Sequence, residues 1–249
     1  GYVGVNRTLR GGVTAFGQVM FNRGFTHYEF TPYGYTTSLA GITFPATNPY
    51  NPTGLSLTGT STSAPWTFRG TIRPAREVKT ATASALAGLR GTIGRGWRWE
   101  TGVSYGQNET MRDTDLIRAA DLQAALNGTT RATAFNPFGP SEDPNLEARL
   151  YTRSRGLDGR ISSLTWDANL SGALFRLPFA GAGDLGFAVG AEHRRDHLRS
   201  NPEPNNFIGF TATTPYEGRR RISAGFLEAS VPLRKWLEFQ LAVRHERYS

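Results

Sequence analysis

Apolar and polar residues alternate with a period of two along seven segments of this sequence, and this pattern constrains the fold more than any other feature. Successive side chains of a β-strand point to opposite faces of its sheet, so the pattern predicts strands with one apolar and one polar face. In one segment Trp97, Val103 and Tyr105 share a face. Arg98 and Glu100 occupy the opposite face. The segments are residues 13–22, 81–93, 97–108, 164–174, 185–195, 225–233 and 237–248.

The composition supports an all-β protein. The chain has 249 residues, 29 of them Gly, and aromatic residues make up 12%. Glycine costs about 1 kcal/mol at each helix position, which argues against a helical bundle, and disordered chains are depleted in aromatic residues. The absence of cysteine excludes disulfide scaffolds, thiolate zinc sites and cysteine nucleophiles. No apolar run approaches the length of a membrane-spanning helix.

The connections between the predicted strands alternate strictly between short and long. This order predicts an antiparallel up-and-down meander with every short turn at one rim and every long loop at the other. Transmembrane β-barrels have short periplasmic turns and long external loops in this arrangement. We therefore expect an antiparallel transmembrane β-barrel, present here as a partial barrel of about 7–8 strands. The short connections are residues 7–12, 94–96, 177–184 and 232–236, and the long ones are residues 31–68, 111–150 and 200–218.

Aromatic residues near the strand ends fit two interfacial girdles of such a barrel. A soluble β-sandwich that binds carbohydrate, with these rings in its core, remains an alternative. The group beside the short turns is Trp97, Trp99, Phe187, Trp236 and Phe239, and the group near the opposite ends is Phe21, Tyr28, Phe30 and Tyr105.

Motifs for nucleotide, metal or catalytic chemistry are weak. Residues 181–186 match GxGxxG, but a strand pattern rather than a helix follows, so we interpret them as a hairpin turn. His193 and His197 would lie about 13 Å apart on a strand, too far for one metal ion. His27 and His245 have no histidine nearby in sequence. No GxSxG nucleophile motif occurs.

Charged residues on the predicted polar faces carry mixed signs, which indicates a wall that binds water and an internal domain rather than a catalytic dyad. We therefore assign no catalytic, cofactor or metal residues, leave the ligand-binding residues unassigned, and expect no enzymatic activity. These residues are Asp167, Glu192, Glu228, Glu238, Glu246, Arg98, Arg194 and Arg244.

The formal charge of +8 does not by itself predict nucleic-acid binding. Residues 219–221, Arg-Arg-Arg, are the only tight basic cluster, whereas a nucleic-acid surface concentrates charge and interleaves aromatic rings. At a barrel rim, arginines can reach anionic lipid headgroups.

The second long loop contains the pattern of one helix, and two loops contain Asn-Pro motifs. We predict that Asp113 or Asp115 caps the helix and that Asn127-Gly128 ends it. The motifs FPATNPYNP (44–52) and FNPFGP (135–140) predict rigid turns that stiffen the loops. The alternative is that their rings contact a ligand.

Together these segments resemble the barrel domain of TonB-dependent outer-membrane receptors. The resemblance implies a barrel of about 22 strands with a plug domain inside it. It also implies uptake of a scarce ligand, such as a siderophore or carbohydrate, across the outer membrane of a Gram-negative bacterium. The family is not enzymatic. The pieces that carry the resemblance are FPATNPYNP (44–52), GLRGTIGRGWRWETGVSYGQNE (88–109), LQAALNG to FNPFGP (122–140), LGFAVGAEHRRD (185–196) and FLEASVPLRKWLEFQLAVRHERYS (226–249).

We expect residues 1–249 to be part of such a barrel domain, without its plug domain and terminal strand. The chain begins without Met or a signal peptide and ends inside an alternating pattern, which predicts an internal fragment. The expected partners are outer-membrane lipid, the plug of the same full-length protein, the TonB complex through that missing plug, and a small-molecule ligand. Nucleic acid and cofactors are not expected. The alternatives are a small porin-like or structural barrel and an outer-membrane hydrolase.

Overall fold

The computed structural model describes residues 1–249 except residues 33, 36–38, 61–65, 67, 95, 180, 203–206 and 209–213. Long antiparallel strands account for most of the chain. The strands are β1 Tyr2–Thr8, β2 Thr14–Glu29, β3 Gly34–Tyr35, β4 Thr43–Phe44, β5 Leu57–Thr58, β6 Phe68–Arg69, β7 Ala75–Ile93, β8 Trp97–Ile117, β9 Tyr151–Arg176, β10 Asp184–Asn201, β11 Tyr216–Arg234 and β12 Leu237–Tyr248. The helices are α1 Ala119–Leu126 and α2 Leu146–Leu150, and a 3₁₀ turn spans Arg10–Gly12.

Eight strands form one sheet in the order β1-β2-β7-β8-β9-β10-β11-β12, and each pairs antiparallel with its neighbours. The prediction of an all-β, up-and-down antiparallel sheet is therefore confirmed. The sheet is open, with β1 and β12 at its two edges. Two small ribbons, β3-β6 and β4-β5, lie within the first long connection.

The strands extend further into the long connections than the alternation predicted. β7 begins at Ala75, and β8 continues to Ile117 opposite the start of β9 at Tyr151. Alternation missed these extensions because charged residues occupy the face that is apolar nearer the short turns. The long connections span residues 30–74, 118–150 and 202–215, so the second and third are shorter than expected and the first is longer.

The predicted helix exists, but its predicted cap is wrong. Asp113 and Asp115 lie within β8, and α1 begins at Ala119 after Arg118, which makes no side-chain capping bond. Both carboxylates instead bind basic side chains of β9, and this pairing keeps the chain extended. The helix ends at Asn127, as predicted.

The short turns depend on glycine where the backbone enters the left-handed region. Gly11 and Gly12 have φ of 73° and 75°, and Gly94 has φ of 56°. Residues 181–183 lie in the turn before β10 and residues 184–186 are its first residues, so a strand and not a helix follows, as the interpretation as a hairpin turn requires. Residues 95 and 180 of these turns lie outside the described residues.

Most of the hydrophobic core lies among the long loops, at one rim of the sheet. Its buried members come from all three long connections and from the adjoining end of β8. Among the described residues, no helix is long and apolar enough to cross a membrane. The core cluster is Leu39, Ile42, Phe44, Trp66, Ile117, Leu122, Leu126, Phe135, Leu150 and Ile208.

Candidate membrane surface and loop assembly

One face of the eight-stranded sheet carries a band of mostly apolar residues. Directly opposed residues of paired strands point to the same face, so the strand register identifies its members. Val189 lies opposite both Leu170 and Leu227, and Leu227 lies opposite Val243. We call this surface the apolar band. Its members include Val3, Val5, Val19, Phe21, Ala85, Ala87, Leu89, Trp99, Val103, Tyr105, Leu164, Trp166, Ala168, Leu170, Phe187, Val189, Leu227, Ala229, Val231, Phe239, Leu241 and Val243.

The apolar band is exposed in the described chain. The exposed fraction is 37% for Val189, 47% for Val103 and 65% for Val243. A β-sandwich would bury this face against a second sheet, but the described strands form only this sheet and the two loop ribbons. Exposed apolar patches of this extent mark a membrane or protein contact.

Aromatic rings concentrate at the short-turn end of the band. The ring of Trp97 packs near Phe187, with 6.4 Å between centroids. Trp97 also covers Gly172, where an added Cβ would lie 2.7 Å from the indole. Trp99 and Phe239 lie on the same face, and Trp236 lies in the turn before β12.

The predicted girdle at the loop end is only partly formed on this face. Phe21 and Tyr105 belong to the band. Tyr28 points to the opposite face, because it is an odd number of residues from Phe21 along the same strand. Phe30 lies beyond the end of β2, and its ring lies beneath the guanidinium of Arg76. Phe25, which the sequence analysis did not select, is 62% exposed on the same face as Phe21.

The opposite face is polar, and all the charged residues selected from the polar pattern lie on it. Charged residues on this face pair both within a strand and between strands. Arg244 contacts Glu246 at 2.6 Å and Glu192 at 3.7 Å. Asp196 accepts hydrogen bonds from Arg220 and Ser163, each at 2.8 Å. Opposed charges therefore compensate each other on this face.

A groove of about 690 Å³ adjoins these charges on the polar face, where Arg98, Ser171, Glu228, Ser230 and Gln240 contribute to its lining. Glu238 accepts a hydrogen bond from Ser230 at 2.6 Å. Nearer the loops, the ring of Phe226 lies over Gly190, where a Cβ would come within 2.2 Å of the ring. A side chain larger than glycine would displace this ring.

The histidines do not converge on one point. His193 hydrogen-bonds to Ser223 at 2.9 Å, and His197 hydrogen-bonds to Glu217 at 2.9 Å. His27 lies near Glu77, and His245 follows Val243 at the edge of the apolar band. In the described part of the chain, no group of three metal-binding side chains comes together.

Above the apolar band, the extended ends of β7, β8 and β9 carry an ion network on the same face. Asp113, with a side chain only 5% exposed, accepts hydrogen bonds from Lys79 and Arg155, each at 2.7 Å. Hydrogen bonds from Arg155 and then Lys79 lower the pKa of Asp113 to about 2. Arg153 joins Asp115 and Glu77, each at 3.0 Å.

The first and second long loops are joined by side-chain amides. Gln123 of α1 pairs with Thr43 of β4 by accepting from its N–H at 2.7 Å and donating to its carbonyl at 2.8 Å. Asn48, 2% exposed, donates to the carbonyl oxygens of Leu126 and Phe135. These bonds replace water at buried backbone groups.

The two Asn-Pro motifs contact each other, in agreement with the prediction that they stiffen the loops. Phe44 and Phe138 meet edge to face with 5.6 Å between ring centroids, and Phe44 is fully buried. Tyr50 links the loops a second time because its hydroxyl donates to Arg131 O and accepts from Glu142 N.

One further set of contacts joins the first and second long loops, and another contact joins the third long loop to the end of β8. Glu147 of α2 accepts from the N–H groups of Thr71 and Ile72 at 2.8 Å and 3.0 Å. Ile208 of the third loop donates to Ile117 at the end of β8. The sequence analysis missed this joint core, since its members lie up to 169 residues apart and share no local period.

Comparison of the chain with models of known protein families, with curated proteins and with solved structures gives no match.

Proposed function

We propose that this chain forms part of the barrel wall and external loops of a TonB-dependent outer-membrane receptor that takes up a scarce ligand. The observation that carries the proposal is the exposed apolar band, which crosses all eight strands and has a polar face behind it. Only helices and closed barrels satisfy their backbone groups in hydrocarbon. The resemblance of the sequence to the receptor barrel then favours this class over other membrane barrels.

The dimensions support a bilayer location. The stretch from Trp97 to Tyr105 extends about 27–30 Å along β8, close to the 9–11 residues that cross a bilayer at a tilt. β9, at 26 residues, is far longer than a bilayer requires, so its loop-side half would project beyond the membrane. The ion network around Asp113 lies in this projecting part.

In the proposed receptor the polar face lines the lumen and contacts the plug domain. Paired charges such as Arg244 and Glu246 make that wall a hydrated surface along which an internal domain can move. The joined long loops hold the external mouth where the ligand arrives. Energy coupling through TonB belongs to the plug, whose movement would open the path.

A small porin-like barrel is the second candidate, and the strand count favours it. The smallest transmembrane barrels close with eight strands, the number in this sheet. The two candidates share the same lipid-facing surface and differ in whether β1 pairs with β12.

Two neighbouring substitutions on β10 test the membrane assignment. Val189→Arg places a charge in the centre of the apolar band, and it should cost about 2–4 kcal/mol of folding free energy in a bilayer. Ala188→Arg places the same charge on the polar face opposite Glu228, so it should fold normally. Folding into phosphatidylcholine vesicles is measured by heat-modifiable gel mobility and urea titration.

Equal folding of both variants would contradict the assignment of faces, and a soluble monomer without detergent would contradict the membrane location. The receptor function itself is tested in cells that express the full-length protein. Ligand accumulation should stop when TonB is deleted or the proton gradient is collapsed. Accumulation that persists would favour the porin-like candidate.

A further inference from the structure

The face that carries the apolar band becomes strongly basic towards the loop ends of β10, β11 and β12. These three strands are fully described, and Glu217 is the only carboxylate that they place on this part of the face. The arginines there are Arg195, Arg199, Arg219, Arg221 and Arg247. Glu217 already binds Arg219 and His197.

Three of these arginines form a cluster that we call the arginine patch: Arg195, Arg221 and Arg247. Arg195 lies directly opposite Arg221. Arg247 lies opposite Ser223, which follows Arg221 as the next residue on the same face of β11. Directly opposed side chains have Cβ atoms about 4.5–5.5 Å apart, and like charges at that distance destabilise a sheet. All three are exposed. Arg195 donates to the ring of His193 at 3.3 Å, and within the described chain none of the three forms an ion pair with a carboxylate.

The patch differs from several other groups of charges on the sheet, in which carboxylates pair with the cations. On the polar face, Arg220 binds Asp196 at 2.8 Å. On the patch's own face, β7–β9 neutralise Lys79 and Arg155 with Asp113, and Arg160 with Glu109. An opposed pair of arginines without a carboxylate therefore indicates an anion that this chain does not supply.

The location of the patch identifies the anion. Val243, His245 and Arg247 are successive outward side chains of β12, so the Cα of Arg247 lies about 13 Å along the strand from that of Val243, the last apolar residue. Arg195 is itself opposite Leu164 of the apolar band. This is the level at which lipid phosphates lie when acyl chains cover the band.

We infer that the arginine patch binds the phosphate groups of an anionic membrane lipid, with acyl chains lying along Val189, Leu227 and Val243. The inference rests on the proposed membrane location. The planar guanidinium group binds phosphate oxygens in a bidentate manner. Because the patch lies at the rim with the long loops, the lipid would belong to the outer leaflet and carry a phosphorylated glycolipid headgroup.

The test uses the full-length protein folded in zwitterionic detergent micelles, with diphosphorylated lipid A as the probe. Native mass spectrometry measures the number of lipids bound and their affinity. The double variant Arg195→Gln, Arg221→Gln should bind lipid A at least about tenfold more weakly, because each surface arginine contributes severalfold to anionic lipid affinity. Arg247→Gln alone should give a smaller loss.

The matched control is Arg220→Gln, which removes a charge between Arg219 and Arg221 but on the polar face. It should leave lipid A affinity unchanged. The double variant should be no less stable than the original chain, since it removes a repulsion. Gel mobility and circular dichroism confirm folding of each variant.

The inference is overturned if the double variant binds lipid A normally, if Arg220→Gln weakens binding equally, or if dephosphorylated lipid A binds as tightly. It is also overturned if inorganic phosphate competes at the same concentration as lipid A, because a lipid site would depend on the apolar band as well. Failure of the full-length protein to enter vesicles would overturn the membrane proposal. Normal insertion with unchanged lipid affinity would overturn this inference alone.

Discussion

Asp113 is the most tightly held carboxylate on the extended strand ends. Its two oxygens accept hydrogen bonds from Lys79 of β7 and Arg155 of β9, so this one side chain of β8 links three strands. Its side chain is 5% exposed, whereas Lys79 and Arg155 are 46% and 69% exposed. The two cations therefore remain hydrated, whereas the buried carboxylate depends on them for its hydrogen bonds.

Asp113→Asn should lower the free energy of unfolding by about 1–3 kcal/mol, the range for hydrogen bonds to charged groups. The substitution keeps the shape of the side chain but leaves Lys79 and Arg155 without their anion. Urea titration in micelles measures the loss. Glu29→Gln, at a carboxylate that is 62% exposed, is the control and should change little. Equal effects of the two substitutions would contradict the role of Asp113.

The same pair of interactions predicts a pH dependence. The pKa of Asp113 lies at about 2, below its usual value of 3.8, so the ionised form stabilises the fold. This contribution is complete above about pH 4 and is lost as pH falls through about 2. The stability difference between the original chain and Asp113→Asn should shrink over that interval. A difference that stays constant to pH 2 would contradict it.

The elements divide into strands that the sequence predicts and loops that it does not. Six of the seven alternating segments lie wholly inside the observed strands, and the segment 13–22 starts one residue before β2. Alternation works there because one face is apolar. It failed at residues 109–117, where Glu109 and Asp113 replace apolar residues and the extended structure depends on partners from other strands.

The loop core could not be predicted from the sequence because its contacts are distant along the chain. Asn48 bonds to Leu126 and Phe135, 78 and 87 residues away. Gln123 and Thr43 are likewise 80 residues apart. The Asn-Pro motifs signalled rigid turns, but nothing in their local sequence specified that the two motifs would meet.

At the scale of elements, Asn48 holds the first and second long loops together. Asn48→Ala should reduce local stability by about 2–3 kcal/mol, since it removes the two hydrogen bonds that Asn48 donates to the carbonyl oxygens of Leu126 and Phe135. The loops should then open without the sheet. Hydrogen exchange should rise in residues 42–51 and 122–136, while β8 and β9 keep their protection.

Asn51→Ala is the matched control for this prediction. Asn51 also donates to backbone oxygens, but those of Pro45 and Leu55 within its own loop. It should loosen that turn and leave residues 122–136 protected. If both variants expose the second loop equally, Asn48 does not join the loops.

For the whole molecule, the main energetic cost of the proposed membrane location lies in the unpaired backbone groups at the open edges of the sheet. β1 and β12 each leave backbone donors and acceptors unpaired on one side. In hydrocarbon each such group costs several kcal/mol, so the proposed membrane location requires that both edges be paired. They can pair with each other in an eight-stranded barrel or with further strands of a larger one.

Engineered disulfides distinguish these two closures, and the chain suits the experiment because it contains no cysteine. Val3→Cys or Val5→Cys on β1 is combined with Leu241→Cys or Val243→Cys on β12, and the folded chain is oxidised in micelles. The receptor proposal predicts no intramolecular cross-link in any of the four combinations, because the two edges of a partial barrel do not meet.

The positive control combines Val189→Cys with Leu227→Cys, which are directly opposed on β10 and β11 and should cross-link readily. Cross-links between separate chains through β1 or β12 would agree with the receptor proposal, since unpaired edges associate. An intramolecular β1–β12 disulfide in the folded chain would mean that eight strands close on themselves. The porin-like candidate would then replace the receptor, because an eight-stranded barrel has only enough interior for its own side chains and cannot enclose a plug domain.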